Sequence, residues 1–184
     1  MRKCVYCVTM SVDGFTAQPD GSTRWMSGAP KSDYGFNEFY YGVGTVVMGK
    51  NTYEKILGMS EGAYFPYDDK NVIVATTDET FTAHNSEIEV ISENLKERIA
   101  REKISDTEGD IWIAGGAAPA TSLFEEGLVD EVHVFVQPIL LGEGISLFGA
   151  LSRPTCLRLE SMEKWPGDIV ELRYLTVKSW RVDI

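Results

Sequence analysis

The fold is indicated most strongly by the stretch DIWIAGGAA at residues 110–118. Its apolar part, IWIA, predicts a buried strand that is covered on both faces. After two glycines, residues 117–126 have the composition of a helix. Because Gly115 and Gly116 lack a Cβ atom, their backbone can lie against a ligand, and the free amides that open a helix favour an anion. The stretch predicts either a phosphate site or an ordinary tight turn.

Two other turns with similar chemistry follow predicted strands. The apolar strand at residues 45–48 precedes Gly49-Lys50-Asn51-Thr52 and a helix from Tyr53 to Leu57, and the strand at residues 71–75 precedes Thr76-Thr77. The carboxyl ends of parallel strands share one edge of a sheet, so we expect the three turns to converge there. The three turns would suit a nucleotide-like anion. Their backbone amides could bind a pyrophosphate, the lysine another phosphate, and the threonines a ribose. The ordinary alternative is an N-capped helix with a surface lysine.

Strands and helices alternate along the chain and end in two strands, near residues 156–164 and 168–178. The turn Pro166-Gly167-Asp168 between these strands is typical of a hairpin. This order predicts an α/β fold, with a mainly parallel sheet, helices on both faces and an antiparallel edge. There are no internal repeats or linkers, so we expect a single domain over residues 1–184.

A long loop follows the first predicted strand, residues 3–12, and runs through Trp25 to Pro30. Such a loop either carries function or folds onto the core. The next predicted helix begins near Ser32-Asp33, because Ser and Asp are preferred at helix N-caps. Asp33 is therefore either a helix cap or an acid that contacts a ligand.

Composition excludes several classes of function. The 184 residues include 28 Asp and Glu against 17 Lys and Arg, a formal net charge of −11, which argues against binding to nucleic acid or to an anionic membrane. The three cysteines do not suggest a disulfide framework. Cys4 and Cys7 share a predicted strand at a spacing that places them on opposite faces, so we expect no metal site. No apolar run is as long as a membrane span, and we expect a cytoplasmic protein.

Four segments, in this order, resemble the dihydrofolate-reductase-like superfamily, specifically the reductase-domain family of riboflavin biosynthesis. They are SVDGFTA at 11–17, VMGKNTYE at 47–54, IAGGA at 113–117, and GLVDE at 127–131 together with residues 138–148. The resemblance extends over nearly all of residues 2–178. It implies a three-layer fold with a mostly parallel eight-stranded sheet and an antiparallel C-terminal edge. It also implies NADPH as hydride donor and a homodimer.

The resemblance implies roles for individual residues by matching position. The implied cofactor-binding residues are Ala17, Gly49, Lys50, Asn51, Thr52, Thr76, Thr77, Gly115, Gly116, Ala117 and Ala118. Lys50 would lie near the adenosine 2′-phosphate. Asp13, Gly14 and Trp25 are the candidates for the substrate side, and Asp13 and Asp33 are the candidate catalytic residues for proton delivery.

The resemblance therefore predicts an NADPH-dependent reductase of a small heterocyclic, pterin- or pyrimidine-like substrate, related to 5-amino-6-(5-phosphoribosylamino)uracil reductase and dihydrofolate reductase. The alternative is an NADP(H)-binding sensor or regulatory module without reductase activity. It is favoured by Ala114, which replaces the acid that riboflavin-pathway reductases often carry before the double glycine, and by the lack of an evident proton donor. A purely structural partner domain is a third hypothesis.

Overall fold

The computed structural model describes residues 1–28, 33–59 and 64–177. Its strands, in chain order, are β1 (Cys4–Ser11), β2 (Phe15–Ala17), β3 (Val43–Gly49), β4 (Asn71–Ala75), β5 (Glu89–Ile91), β6 (Asp110–Gly115), β7 (Glu131–Gln137), β8 (Ile145–Ser146), β9 (Cys156–Trp165) and β10 (Ile169–Val177). Its helices are a short 3-10 helix (Arg24–Gly28), α1 (Phe36–Tyr41), α2 (Lys50–Met59), α3 (Leu95–Lys103) and α4 (Ala117–Glu125).

Eight strands form one sheet in the order β5-β4-β3-β6-β1-β7-β10-β9. The pairings from β5 across to β7 are parallel, and β10 runs antiparallel to both β7 and β9. This arrangement confirms the predicted fold class. The apolar strand β6 lies between β3 and β1, and its side chains at 111–113 are at most 5% exposed. It is covered on both faces, as its continuous apolar run predicts.

Helices cover both faces of the sheet and bury a core on each. On one face, Ile99 of α3 and Leu123 of α4 pack in a cluster that includes Cys4. On the other face, aromatic side chains of α1 and Tyr53 of α2 pack in a cluster that includes Cys7. The prediction that the two cysteines lie on opposite faces is confirmed. Burial raises the pKa of both thiols to about 12, so they are neutral at physiological pH.

Two predicted helix starts were wrong. The helix α2 begins at Lys50 and not at Tyr53, because β3 runs directly into it at Gly49. Thr52 is therefore inside the helix and does not cap it. The N-cap of α1 is Gly35, whose φ of 72° is the left-handed conformation that glycine adopts most readily. Asp33 lies two residues earlier and accepts a hydrogen bond from the Gly35 N–H at 3.4 Å.

A second, two-stranded sheet was not predicted. It pairs β2 with β8 in antiparallel fashion and so joins the loop after β1 to the glycine-rich loop at residues 138–148. The strands have three and two residues, too few to show a periodic pattern.

Some predictions fall outside the described residues: the end of the long loop at Pro30, the helix start at Ser32 and the last residue of the closing strand, Lys178. Among the residues that are described, no helix has the length and apolar composition that crossing a bilayer requires.

Candidate functional site

The carboxyl ends of β3, β4 and β6 open into a cleft of ≈ 1900 Å³. A cleft at this edge of a parallel sheet is the usual ligand site of α/β folds. Every residue that the resemblance implies for the cofactor lines it, from Ala17 through the three turns to Ala118. The structure thus brings the three turns together, as expected, while the roles of the individual residues stay predictions.

The two glycine turns touch each other at the base of the cleft. Gly116 has a φ of 91°, and a Cβ atom added to it would lie 3.2 Å from the backbone nitrogen of Gly49 and 3.1 Å from Cγ of Pro119. A Cβ atom on Gly115 would lie 3.1 Å from Cγ2 of Thr52. A side chain at Gly116 would fill the space between the two turns, and one at Gly115 would press against Thr52. Glycine at both positions therefore allows the two turns to pack closely.

The helix α4 begins directly after this turn, at Ala117. Its N-cap is Gly116, and within the described part of the chain no side chain caps the amides that open the helix. Free amides and the positive end of the helix dipole together favour a negatively charged group. The residues present therefore fit the pyrophosphate of a dinucleotide.

Lys50 lies on the rim of the cleft in an ionic cluster. Its Nζ atom is 2.7 Å from Oδ2 of Asp78, 3.9 Å from Oε1 of Glu54, and 5.0 Å from the centre of the Phe81 ring. The hydrogen bond with Asp78 raises the pKa of Lys50, and the same contact is the main cause that lowers the pKa of Asp78 to about 2. Both groups are therefore charged at neutral pH.

Asp78 is a cleft residue that sequence reasoning missed. Its backbone N–H donates to Oγ1 of Thr76 at 3.0 Å, and its Oδ1 accepts from both the hydroxyl, at 2.7 Å, and the N–H, at 3.0 Å, of Thr80. The polar turn at residues 76–78 was visible in the sequence, but the pairing of its acid with Lys50, 28 residues earlier, was not.

Aromatic side chains line the part of the cleft that extends under α1. They belong to Phe36, Tyr67, Trp112 and Phe135. The Trp112 ring lies 5.4 Å from Phe36 and 5.2 Å from Tyr67, centroid to centroid, and its indole N–H donates to the backbone oxygen of Cys7 at 2.9 Å. Burial raises the pKa of Tyr67, so its hydroxyl stays protonated at neutral pH. In the sequence, nothing distinguished these rings from ordinary core residues.

Asp13 and Gly14 do not line this cleft. The carboxylate of Asp13 accepts hydrogen bonds from the Ser11 hydroxyl at 2.6 Å and from the backbone N–H groups of Leu141, at 3.1 Å, and Gly142, at 2.7 Å. These bonds, that of Ser11 first, lower the pKa of Asp13 to about 2. Gly14 accepts from the Leu147 N–H at 2.9 Å. Both residues thus hold the loop at 138–148 in place, and their substrate and catalytic roles stay predictions.

Trp25 and Asp33 also lie outside the cleft lining. Trp25 is in the 3-10 helix, where its indole nitrogen is buried without a hydrogen-bond partner, while its neighbours Arg24 and Met26 do line the cleft. Asp33 is exposed, and its carboxylate is turned to the Gly35 N–H. The roles of Trp25 and Asp33 in binding or catalysis stay predictions.

The chain is similar in sequence to one protein family and shares its fold with further proteins. The model of the RibD C-terminal domain matches residues 59–170. The uncharacterized protein YwjB of Bacillus subtilis (strain 168) is 35% identical over 175 residues, which cover 95% of this chain and 98% of YwjB. The crystal structure of the "Putative riboflavin biosynthesis protein" of Shewanella sp. PV-4 superposes with a TM-score of 0.82 at 25% identity, over 97% of this chain and 100% of its own. Dihydrofolate reductase from Enterococcus faecalis, solved with NADP(H), shares the fold with a TM-score of 0.66 at 16% identity, covering 95% and 96%.

Proposed function

The chain belongs to the RibD C-terminal domain family, and from this premise we propose that it is an NADPH-dependent reductase of a small, planar heterocyclic substrate. The observation that carries the proposal is the convergence of Lys50, Thr76 and the double glycine on one cleft. Pterin- and pyrimidine-like compounds are the substrate class, and the riboflavin precursor 5-amino-6-(5-phosphoribosylamino)uracil is one member to test.

In this proposal the glycine turns bind the pyrophosphate of the dinucleotide. The free amides at the start of α4 donate to it, and Gly49 and Gly116 allow the close approach of the backbone. Lys50 and Thr76 lie at the adenosine end. When bound, the nicotinamide supplies the hydride, and the protein positions the two rings and excludes water.

The aromatic part of the cleft receives the substrate. Phe36 and Phe135 are half-buried and offer apolar ring surface against which a planar heterocycle can stack, and the buried Trp112 ring packs against Phe36. Tyr67 keeps a neutral hydroxyl in this region and can donate a hydrogen bond or a proton to a substrate nitrogen. Asp13 is a poor proton donor at neutral pH, because its carboxyl is ionised.

A second candidate function is an NADP(H)-binding sensor. It is favoured by one observation: the two carboxylates first considered for proton delivery, Asp13 and Asp33, do not line the cleft. The two functions make the same prediction for cofactor binding and opposite predictions for turnover.

The test combines NADPH titration by fluorescence with an assay of NADPH oxidation over a panel of pterins, pyrimidines and flavin precursors. A reductase binds NADPH and oxidises it with at least one substrate. Binding without oxidation across the panel would favour the sensor, and absence of binding would contradict both functions.

A tyrosine variant tests the substrate end. We expect Tyr67→Phe to lower kcat by about 10²-fold while leaving the Kd for NADPH unchanged, because a general acid contributes roughly that factor. The matched control is Tyr41→Phe, since Tyr41 is 84% exposed and does not line the cleft. Equal kcat values for wild type and Tyr67→Phe would remove Tyr67 from the mechanism.

A further inference from the structure

The rim of the cleft holds more negative than positive charge around its lysine. Lys50 is 27% exposed and Asp78 is 40% exposed, so this ion pair faces the solvent of the cleft. With Glu54 at 3.9 Å, the three side chains carry a net charge of −1. A lysine whose task was only to bind a 2′-phosphate would not need two carboxylates beside it.

The other cations of the cleft do not pair with the two carboxylates beside Lys50. Among the described lining residues these are Arg24, Lys55 and Lys96. Lys96, which follows β5 at the start of α3, is engaged at 2.7 Å with Glu126. Lys55 donates to the backbone oxygen of Gly21, on the loop that leads to Arg24. Among the described residues, Lys50 is the one cation that forms a salt bridge with Asp78 or Glu54, so a phosphate at Lys50 meets the field of Asp78 directly.

We propose that Asp78 determines the cofactor selectivity of this cleft, so that the protein accepts both NADPH and NADH. The proposal rests on the proposed function, because it concerns the adenosine ribose of the same dinucleotide. Lys50 attracts the 2′-phosphate of NADPH, while the Asp78 carboxylate repels it and can accept a hydrogen bond from the 2′-hydroxyl of NADH. Acidic residues at the ends of strands bind ribose hydroxyls in this way in dinucleotide-binding folds.

The geometry makes the opposition between the two residues direct. A phosphate oxygen within hydrogen-bond distance of Nζ lies only a few ångströms from Oδ2 of Asp78, since Nζ and Oδ2 are 2.7 Å apart. Like charges at such distances repel appreciably even in water. The Thr80 hydroxyl and N–H fix the carboxylate through Oδ1, so it cannot easily turn away when a phosphate arrives.

The test is the ratio of Kd for NADH to Kd for NADPH in wild type, Asp78→Asn, Lys50→Ala and the double variant. We expect the wild-type ratio to be below about 10 and the Asp78→Asn variant to raise it about tenfold, because the repulsion is lost while the lysine remains. Lys50→Ala should lower the ratio. In the double variant the ratio should not rise as it does in Asp78→Asn alone.

The controls separate a local effect from net charge and from folding. Glu79→Gln makes the same charge change one residue away, at an exposed side chain that does not line the cleft, and should leave the ratio unchanged. Asparagine keeps an oxygen that can accept from Thr80, so the turn is retained, and circular dichroism checks this.

The outcomes distinguish this inference from the proposed function. If wild type binds neither dinucleotide, the proposed function fails. If wild type binds both but Asp78→Asn leaves the ratio unchanged, or changes it no more than Glu79→Gln does, only the selectivity role of Asp78 is overturned.

Discussion

The carboxylate of Asp13 shows how a single residue can stabilise a loop from an exposed position. It accepts hydrogen bonds from Ser11, on the strand before it, and from Leu141 and Gly142, on the loop that faces it. All three donors favour the ionised carboxylate, which is why the pKa falls from 3.8 to about 2. Asp13 thus connects the end of β1 to the loop that carries β8.

This shift predicts a pH dependence of stability. A carboxyl whose pKa is lower in the folded state stabilises the fold above its ordinary pKa of 3.8, and the contribution is lost as pH falls towards about 2. We expect Asp13→Asn to unfold at lower urea concentration than wild type at pH 7, and the difference to shrink as pH falls from 4 to 2. Asp20→Asn is the control, since among the described residues Asp20 accepts one local hydrogen bond, from the Ser22 N–H. A difference that stays constant with pH would show that the Asp13 bonds do not depend on its charge.

At the residue scale, sequence reasoning found main-chain positions and missed side-chain pairs. Gly115 and Gly116 were recognisable as a turn, because a double glycine between an apolar strand and a helix predicts either a tight turn or a phosphate site. The pairing of Asp78 with Lys50 depends on the neighbour relation of β3 and β4, which no local pattern contains. For the same reason Trp112, which the sequence places in a buried strand, could not be recognised as part of a cleft.

At the scale of elements, the turn between β6 and α4 leaves little room for a side chain. Gly116 combines a φ of 91° with a close approach to the Gly49 backbone. We expect Gly116→Ala to lower the free energy of unfolding by about 1–3 kcal/mol, because alanine is strained in this conformation, and to weaken NADPH binding. Chemical denaturation and fluorescence titration measure the two effects.

Gly58→Ala is the matched control for that substitution. Gly58 lies within α2, and a Cβ atom added to it meets no other atom within 4 Å. Alanine should therefore leave stability unchanged or raise it by about 0.5–1 kcal/mol. If Gly116→Ala were as stable as Gly58→Ala, the turn would not have the conformational requirement that the account assigns to it.

The elements themselves were predictable where their patterns were long. The strand β4 and the end of α4 before Gly127 match their predicted positions, since β-branched runs and glycine stops are strong local signals. Element starts were less predictable: α2 begins at Lys50 without a capping residue that the sequence could reveal, and the N-cap of α1 is Gly35 in place of Asp33.

At the scale of the whole molecule, the alternation of strands and helices was sufficient to predict a mainly parallel sheet with an antiparallel edge. Right-handed crossovers restrict such a chain to few topologies, and they place the glycine turns on one edge. The strand order, with β6 between β3 and β1, brings the turn at Gly49 beside the turn at Gly116. The homodimer that the resemblance implies stays a prediction, which the solution mass by light scattering would check.

One dinucleotide lies across the three turns of this cleft in the proposed function, and a crystal structure of the protein with NADPH would show whether it does. We expect the pyrophosphate within hydrogen-bond distance of the amides at the start of α4, the adenosine ribose beside Lys50 and Asp78, and the nicotinamide towards Phe36 and Trp112. A dinucleotide bound elsewhere on the protein, or bound in this cleft with its adenosine among the aromatic rings, would contradict it.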